Sequence, residues 1–299
     1  MEKIKSLKKT FPEICIENIS AAALTTYKTG GNISLAAFPK SEVEVLNILK
    51  EIKSLDVKFY ILGAGSNVLI SDKGFDGVLI VTDKIDKIEF SGLKIKAESG
   101  FLWDKLCEES CVRGFAGLEK TSYIPGSVGG AVRMNAGAFG QETFDCLDYF
   151  EALELETLRK VKIEKKNINY GYRFVEAVEK YFIISACFSF NKGDSKGLNL
   201  TRNEIITKRK EKQPLDYPSA GSVFKRPPGD YASRLIDSCG LKGLRIGGAK
   251  VSEKHAGFVI NYENAAASDI YALIQKVKKE VFEKTGIMLC EEQIFLGEF

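Results

Sequence analysis

TSYIPGSVGGAVRMNAGAFGQE, residues 121–142, holds five glycines, and its only charged side chains are Arg133 and Glu142. Glycine lets a neighbouring group approach the backbone and permits a left-handed φ, but it gives up conformational entropy on folding. A run this long and this small-sided implies either tight turns or a ligand lying against the main chain. A second loop of the same kind, GAGSN at 63–67, follows the short apolar strand expected at Phe59–Leu62. Two such loops can offer backbone N–H groups and short hydroxyls to an anionic group.

The commonest phosphate motifs fail. Gly63 and Gly65 match the start of the dinucleotide fingerprint, but Val68 stands where its third glycine belongs. No G-x-x-x-x-G-K-[ST] sequence occurs, so a P-loop is excluded.

The flanking sequence places these loops in a mixed fold. Ser41–Glu44 has capping-box spacing and opens a helix with Leu46, Leu49 and Ile52 among its apolar positions. Residues 78–81 and 93–97 read as strands, 101–114 as a helix ending at Gly114, 150–163 as a hairpin, and 181–190 as a buried strand. The polar stretch 191–199 suggests a domain boundary. Beyond it come a basic helix near 200–212, a helix ending near Gly240, a strand at 257–261, a helix at 268–285 closed by Gly286, and strands at 287–290 and 293–296. Without a strict βαβ repeat, the pattern favours α+β over a doubly wound sheet.

Composition narrows the function. The 299 residues carry 43 basic and 40 acidic side chains, a net charge of +3, so no polybasic field points to nucleic acid. No apolar run is long enough to span a membrane. The first twenty residues lack the apolar core of a signal peptide, which gives a cytoplasmic expectation. The seven cysteines are expected as reduced thiols. Cys107 and Cys111 share a helix face, but there is no second pair and His255 is the only histidine. Packing is the expected role of both, and no metal is expected. A Ser-His-Asp or Cys-His centre would have to use His255, and no nucleophile elbow accompanies it.

The ordered segments TTYKTGG (25–31), LGAGSNVLISDKGFDG (62–77), YIPGSVGGAVRMNAGAFGQE (123–142), YGYR (170–173), QPLDYPSAGSVFKRP (213–227), GLKGLRIGGAKVSEKHAGFVIN (240–261) and GIMLCEEQIFLG (286–297) closely resemble the UDP-N-acetylenolpyruvoylglucosamine reductase (MurB) family. The similarity spans nearly the whole chain. Its length resembles the shorter, type II members. The resemblance implies an α+β flavoprotein of the PCMH/vanillyl-alcohol-oxidase type, with FAD bound by subdomains at 1–83 and 84–193 and the UDP-sugar by a C-terminal domain at 194–299. It further implies a monomer that reduces UDP-N-acetylglucosamine enolpyruvate with NADPH in peptidoglycan precursor synthesis.

Matched residue by residue, the cofactor would meet Gly63, Gly65, Ser66, Asn67, Pro125, Gly126, Ser127, Gly129, Gly130, Asn135, Ala136 and Gly137. Ser222 matches the serine that protonates C2 of the substrate; taken alone, it reads as a turn serine. Arg173 matches the arginine that pairs with the enolpyruvyl carboxylate; taken alone, it reads as a cation stacked on a tyrosine. Glu292 matches the catalytic glutamate, with Glu291 expected on the opposite strand face. Tyr172, Lys225, Lys254 and His255 fall in segments that line the UDP-sugar site, although His255 also suits a structural role.

Three positions depart from the family pattern: FVEAVEKYF after Arg173, Arg226 where Asn is frequent, and Ile294 where an arginine is common. Two other readings stay open at this stage. A sugar or alcohol oxidase of the same superfamily would lack the PSAGS–Glu292 pair and often carries a His or Cys for covalent flavin attachment. A binding module could keep the fold without turnover.

Overall fold

The computed structural model describes residues 2–299. The chain divides into two compact units. One contains the chain up to Ile16, Ala36–Ala64 and Val78–Arg209; the other contains Glu17–Leu35, Gly65–Gly77 and Lys210–Phe299. The GAGSN loop is where the chain passes from the first to the second, between Ala64 and Gly65.

In the first unit, helices α1 (Glu2–Thr10) and α2 (Glu42–Ser54) precede the strand Phe59–Leu62, which pairs in parallel with Val78–Val81. The Ser41 hydroxyl accepts from Glu44 N at 3.3 Å, as the capping pattern requires. The main sheet has five antiparallel strands in the order Lys160–Glu164, Leu147–Glu154, Tyr181–Ser189, Lys94–Glu98 and Ile88–Ser91. Tyr181–Ser189 is the central strand, which explains its predominantly apolar, largely buried sequence.

Helices α3 (Trp103–Val112), α4 (Val128–Met134) and α5 (Thr143–Cys146) add to the core of this unit, where Trp103 meets the Phe188 edge at 5.8 Å. Cys107 is buried there against Thr121, and burial pushes its thiol up to about 12. Helix α6 (Ser195–Lys212) starts inside the polar stretch 191–199, where Asp194 accepts from Gly197 N at 2.8 Å.

The second unit is built on a three-stranded antiparallel sheet, Arg245–Ile246, Ala249–Val251 and Val259–Asn261, with α7 (Ala232–Ser238) and α8 (Ala267–Thr285). Ile270, Leu273, Ile274, Val277 and Val281 form the buried stripe of α8. Asp72 caps its start, accepting from Ala267 N and Ser268 N at 2.8 Å each, and Gly286 ends it at φ +71°. Ile294–Leu296 pairs in parallel with Val68–Ile70.

Three local expectations change. Residues 287–290 form no strand, because Cys290 O and Glu291 meet the 224–225 segment only as an isolated bridge. Phe101 and Leu102 are extended and dock on 127–128 before α3 begins. The stretch 121–142 contains the short helix α4 rather than one continuous loop. No helix among the described residues is long and apolar enough to cross a membrane.

Candidate active site

The glycine-rich stretch is fixed to the start of α3 by its backbone. Trp103 N donates to Gly126 O at 3.0 Å, Val128 N to Phe101 O at 2.9 Å, and Gly129 N to Ser99 O at 2.8 Å. Ser127 caps α4, its hydroxyl accepting from Gly130 N at 3.4 Å. Much of the smallness serves this packing. A Cβ on Gly63 would lie 2.5 Å from Ser127 Oγ, one on Gly129 would lie 2.9 Å from Ser99 Cβ, and one on Gly137 would lie 2.6 Å from Gln141 O. In the other unit, Gly65 is left-handed at φ +64° and its Cβ would meet Leu24 O at 2.1 Å.

Gly130 differs. It lies inside α4, where glycine costs about 1 kcal/mol relative to alanine. Yet a Cβ there would meet nothing closer than Ser127 Oγ at 3.6 Å. The fold leaves this space open, and a flat or anionic group lying on the backbone would use it. Pro125 is exposed, and Gly126 and Ala136 are half-buried along the same stretch. The buried hydroxyls of Ser99 and Ser122 meet no hydrogen-bond partner among the described residues, so each keeps an unused donor. Neither residue stands out in the sequence, because their burial depends on how 121–129 docks. The donor set and the open Gly130 face fit a pyrophosphate-bearing cofactor.

Arg173 sits at the tip of the hairpin formed by Tyr170–Gly171 and Phe174–Val175, with a left-handed φ of +52°. Its Nη2 donates to Gly137 O at 3.0 Å and its Nη1 to Asn135 O at 3.4 Å. Asn135 is itself left-handed at φ +43° and ends α4. Its Nδ2 donates to Glu142 Oε2 at 2.6 Å and Gly171 O at 3.1 Å, while its Oδ1 accepts from Phe144 N at 3.0 Å. Asn135 therefore joins the glycine-rich stretch to the hairpin carrying Arg173. The guanidinium also lies 5.2 Å from the Tyr172 ring centre, so the stacking expected of an isolated arginine is present too.

In the second unit, residues 222–225 thread between two neighbouring segments. Val223 N donates to Gly257 O at 2.9 Å, Glu292 N to Val223 O at 2.8 Å, and Lys225 N to Cys290 O at 2.8 Å. Ser222 and Glu292, far apart in sequence, are thus brought to adjacent backbone positions. Gln293 holds the turn before Ser222: its Nε2 donates to Ala220 O at 3.0 Å and Gly221 O at 3.3 Å, and its Oε1 accepts from Tyr27 OH at 2.9 Å. Sequence reading missed Gln293, since neither its burial nor its partners are local. The Glu291 carboxylate pairs with Lys278 at 2.8 Å on α8 and is held below its usual range by Lys278, its own backbone N–H and Gln275, against burial that raises it. Ser66 and Asn67 are half-buried, and Asn67 Nδ2 donates to Glu292 O at 2.9 Å.

Of the substrate-side candidates, Tyr172 and Lys225 are exposed. Lys254 Nζ donates to Lys210 O at 2.6 Å. His255 Nδ1 accepts from Gly257 N at 3.2 Å with its ring against the Phe258 edge, and burial lowers its pKa. Among the described residues no group of three or more His, Cys, Asp or Glu side chains is placed to hold a metal ion.

The α+β chain is an FAD-dependent oxidoreductase, since residues 33–157 match the model of an FAD binding domain, and the backbone-lined cradle suits that cofactor. Residues 213–296 match that of the C-terminal domain of UDP-N-acetylenolpyruvoylglucosamine reductase. The UDP-N-acetylenolpyruvoylglucosamine reductase of Caldicellulosiruptor bescii is 44% identical over 278 residues, 92% of this chain and 88% of that relative. The one from Caldanaerobacter subterraneus is 41% identical over 275 residues, 92% and 91% of the two chains. The crystal structure of the reductase (MurB) from Thermus caldophilus superposes with a TM-score of 0.81 at 28% identity, covering 94% of this chain and 98% of that one. The chain belongs to the UDP-N-acetylenolpyruvoylglucosamine reductase family, whose reaction uses FAD and NADPH.

Proposed function

We propose that Arg173, Ser222 and Glu292 carry the reduction of UDP-N-acetylglucosamine enolpyruvate to UDP-N-acetylmuramate, in a monomeric, cytoplasmic enzyme with the 1–83, 84–193 and 194–299 division of labour. Bound FAD would accept a hydride from NADPH and supply it to C3 of the enolpyruvyl ether. Gly130 and its neighbours in 121–137, with the GAGSN loop, would hold that cofactor.

The Ser222 hydroxyl then donates its proton to C2 of the substrate enolate. The Arg173 fork pairs with the substrate carboxylate, where negative charge builds up as the hydride arrives. The two main-chain carbonyls that Arg173 meets fix its position without cancelling its charge. Glu292 would polarise the substrate carboxyl group or serve in the protonation. Tyr172, Lys225, Lys254 and His255 serve the UDP-sugar end, where cations meet the diphosphate.

The observation that supports this reading is the main-chain bond from Glu292 N to Val223 O, which brings the backbones of Ser222 and Glu292 to neighbouring positions in one unit. The test is NADPH oxidation by the purified flavoprotein with and without UDP-N-acetylglucosamine enolpyruvate. Substrate-dependent consumption is expected; bound flavin with no such consumption overturns the reading.

A further inference from the structure

We propose that the Asp104–Arg202 ion pair is a positioning device for the cofactor. It keeps Tyr123 in a left-handed conformation, so that Pro125–Ser127 takes its flavin-binding shape. This rests on the reading that the 121–137 stretch meets FAD.

Asp104 lies in the first turn of α3, where its Oδ1 accepts from Tyr123 N at 2.6 Å. The same carboxylate takes both arms of Arg202 from α6, Nη1 to Oδ1 at 2.5 Å and Nη2 to Oδ2 at 3.1 Å. Arg202 is only 7% exposed, so its guanidinium is held away from water and its fork is committed to this carboxylate. Tyr123 has φ +61°, a conformation that a bulky side chain adopts only when its surroundings hold it. The residues on either side of Tyr123 are fixed independently. Thr121 accepts from Trp103 Nε1 at 3.2 Å, and Gly126 O accepts from Trp103 N at 3.0 Å. The turn at Tyr123 spans the gap between these anchors, and Asp104 grips it at the backbone N–H. A pair serving only to tie α6 to α3 would not need a carboxylate oxygen shared with Tyr123 N.

The test measures FAD affinity by flavin fluorescence, with thermal midpoints alongside. Asp104→Ala is expected to weaken FAD binding about tenfold, and Arg202→Met to weaken it in the same direction. Glycine adopts a left-handed φ freely, so in a Tyr123→Gly background the loss from Asp104→Ala is expected to shrink below about threefold. If Asp104→Ala does not fold, Asp104→Asn replaces it in the same cycle, because it breaks the ion pair while keeping an acceptor oxygen. A lowered thermal midpoint with unchanged FAD affinity, or an equal loss in both backgrounds, overturns the proposal. Failure of the parent protein to bind FAD at all would instead remove the flavin reading on which the proposal rests.

Discussion

The side-chain amide of Asn67 donates to the main-chain carbonyl of Glu292 at 2.9 Å, while Asn67 O accepts from Ile294 N at 3.0 Å. The end of the GAGSN loop therefore sets the path of the segment carrying the candidate glutamate. Asn67→Ala leaves that half-buried carbonyl without its amide donor, a loss of roughly 1 kcal/mol. Flavin reoxidation by substrate is expected to slow by about tenfold, with FAD affinity falling less. A larger loss in FAD affinity would place Asn67 with the cofactor alone.

Removing the hydroxyl of Ser222 separates the half-reactions. Ser222→Ala is expected to leave flavin reduction by NADPH nearly intact and to slow reoxidation by substrate by orders of magnitude. Rapid-mixing absorbance of the flavin reports each step. Equal losses in both would withdraw the proton-donor role.

Arg173 is held by two carbonyls and by its own left-handed backbone, so charge and geometry can be tested apart. Arg173→Lys keeps the charge but loses the fork. We expect a raised KM for the enolpyruvyl substrate and a kcat reduced by about tenfold or more. Steady-state kinetics at fixed NADPH tests this, and an unchanged KM with unchanged kcat would contradict it.

Elements with a strong local period were legible in the sequence: the helix ending at Gly286 differs by one residue at its start, and the strand Phe59–Leu62 agrees at both ends. The short helix α4 was not, because its two adjacent glycines and its seven-residue length hide the Val128–Ala131–Val132 stripe, and it is held by docking of 126–129 on residues 99–103. At the site, the family motifs pointed to Ser222 and Glu292, and the structure adds Gln293, the residue that holds the turn before the serine. Ser99, Ser122 and the Asp104–Arg202 pair lay beyond sequence reading, since burial and partners more than ninety positions apart leave no local trace.

Two glycines separate packing from ligand contact. Gly63→Ala drives a Cβ to 2.5 Å from Ser127 Oγ, and is expected to destabilise the protein by about 1–3 kcal/mol. Gly130→Ala meets open space inside a helix, and is expected to raise stability by about 0.5–1 kcal/mol while weakening FAD binding. Thermal unfolding of the FAD-free forms and FAD titration together decide this. A Gly130→Ala protein that binds FAD normally would show that the open face is not used.

His255 gives a pH dependence whose sign follows from its hydrogen bond. Its Nδ1 accepts from Gly257 N at 3.2 Å, which requires the neutral ring, and burial lowers its pKa from the ordinary 6.5. The unfolded chain therefore binds this proton more readily than the folded one. The stabilising contribution is complete above about pH 6.5 and is lost as pH falls through the lowered folded value. His255→Gln removes the titration and leaves an oxygen able to accept. Its thermal midpoint is expected to fall less than that of the parent protein between about pH 7 and pH 5. Parallel melting curves over that range would mean that the ring stays equally accessible to protons in both states, contrary to its half-buried position in the turn.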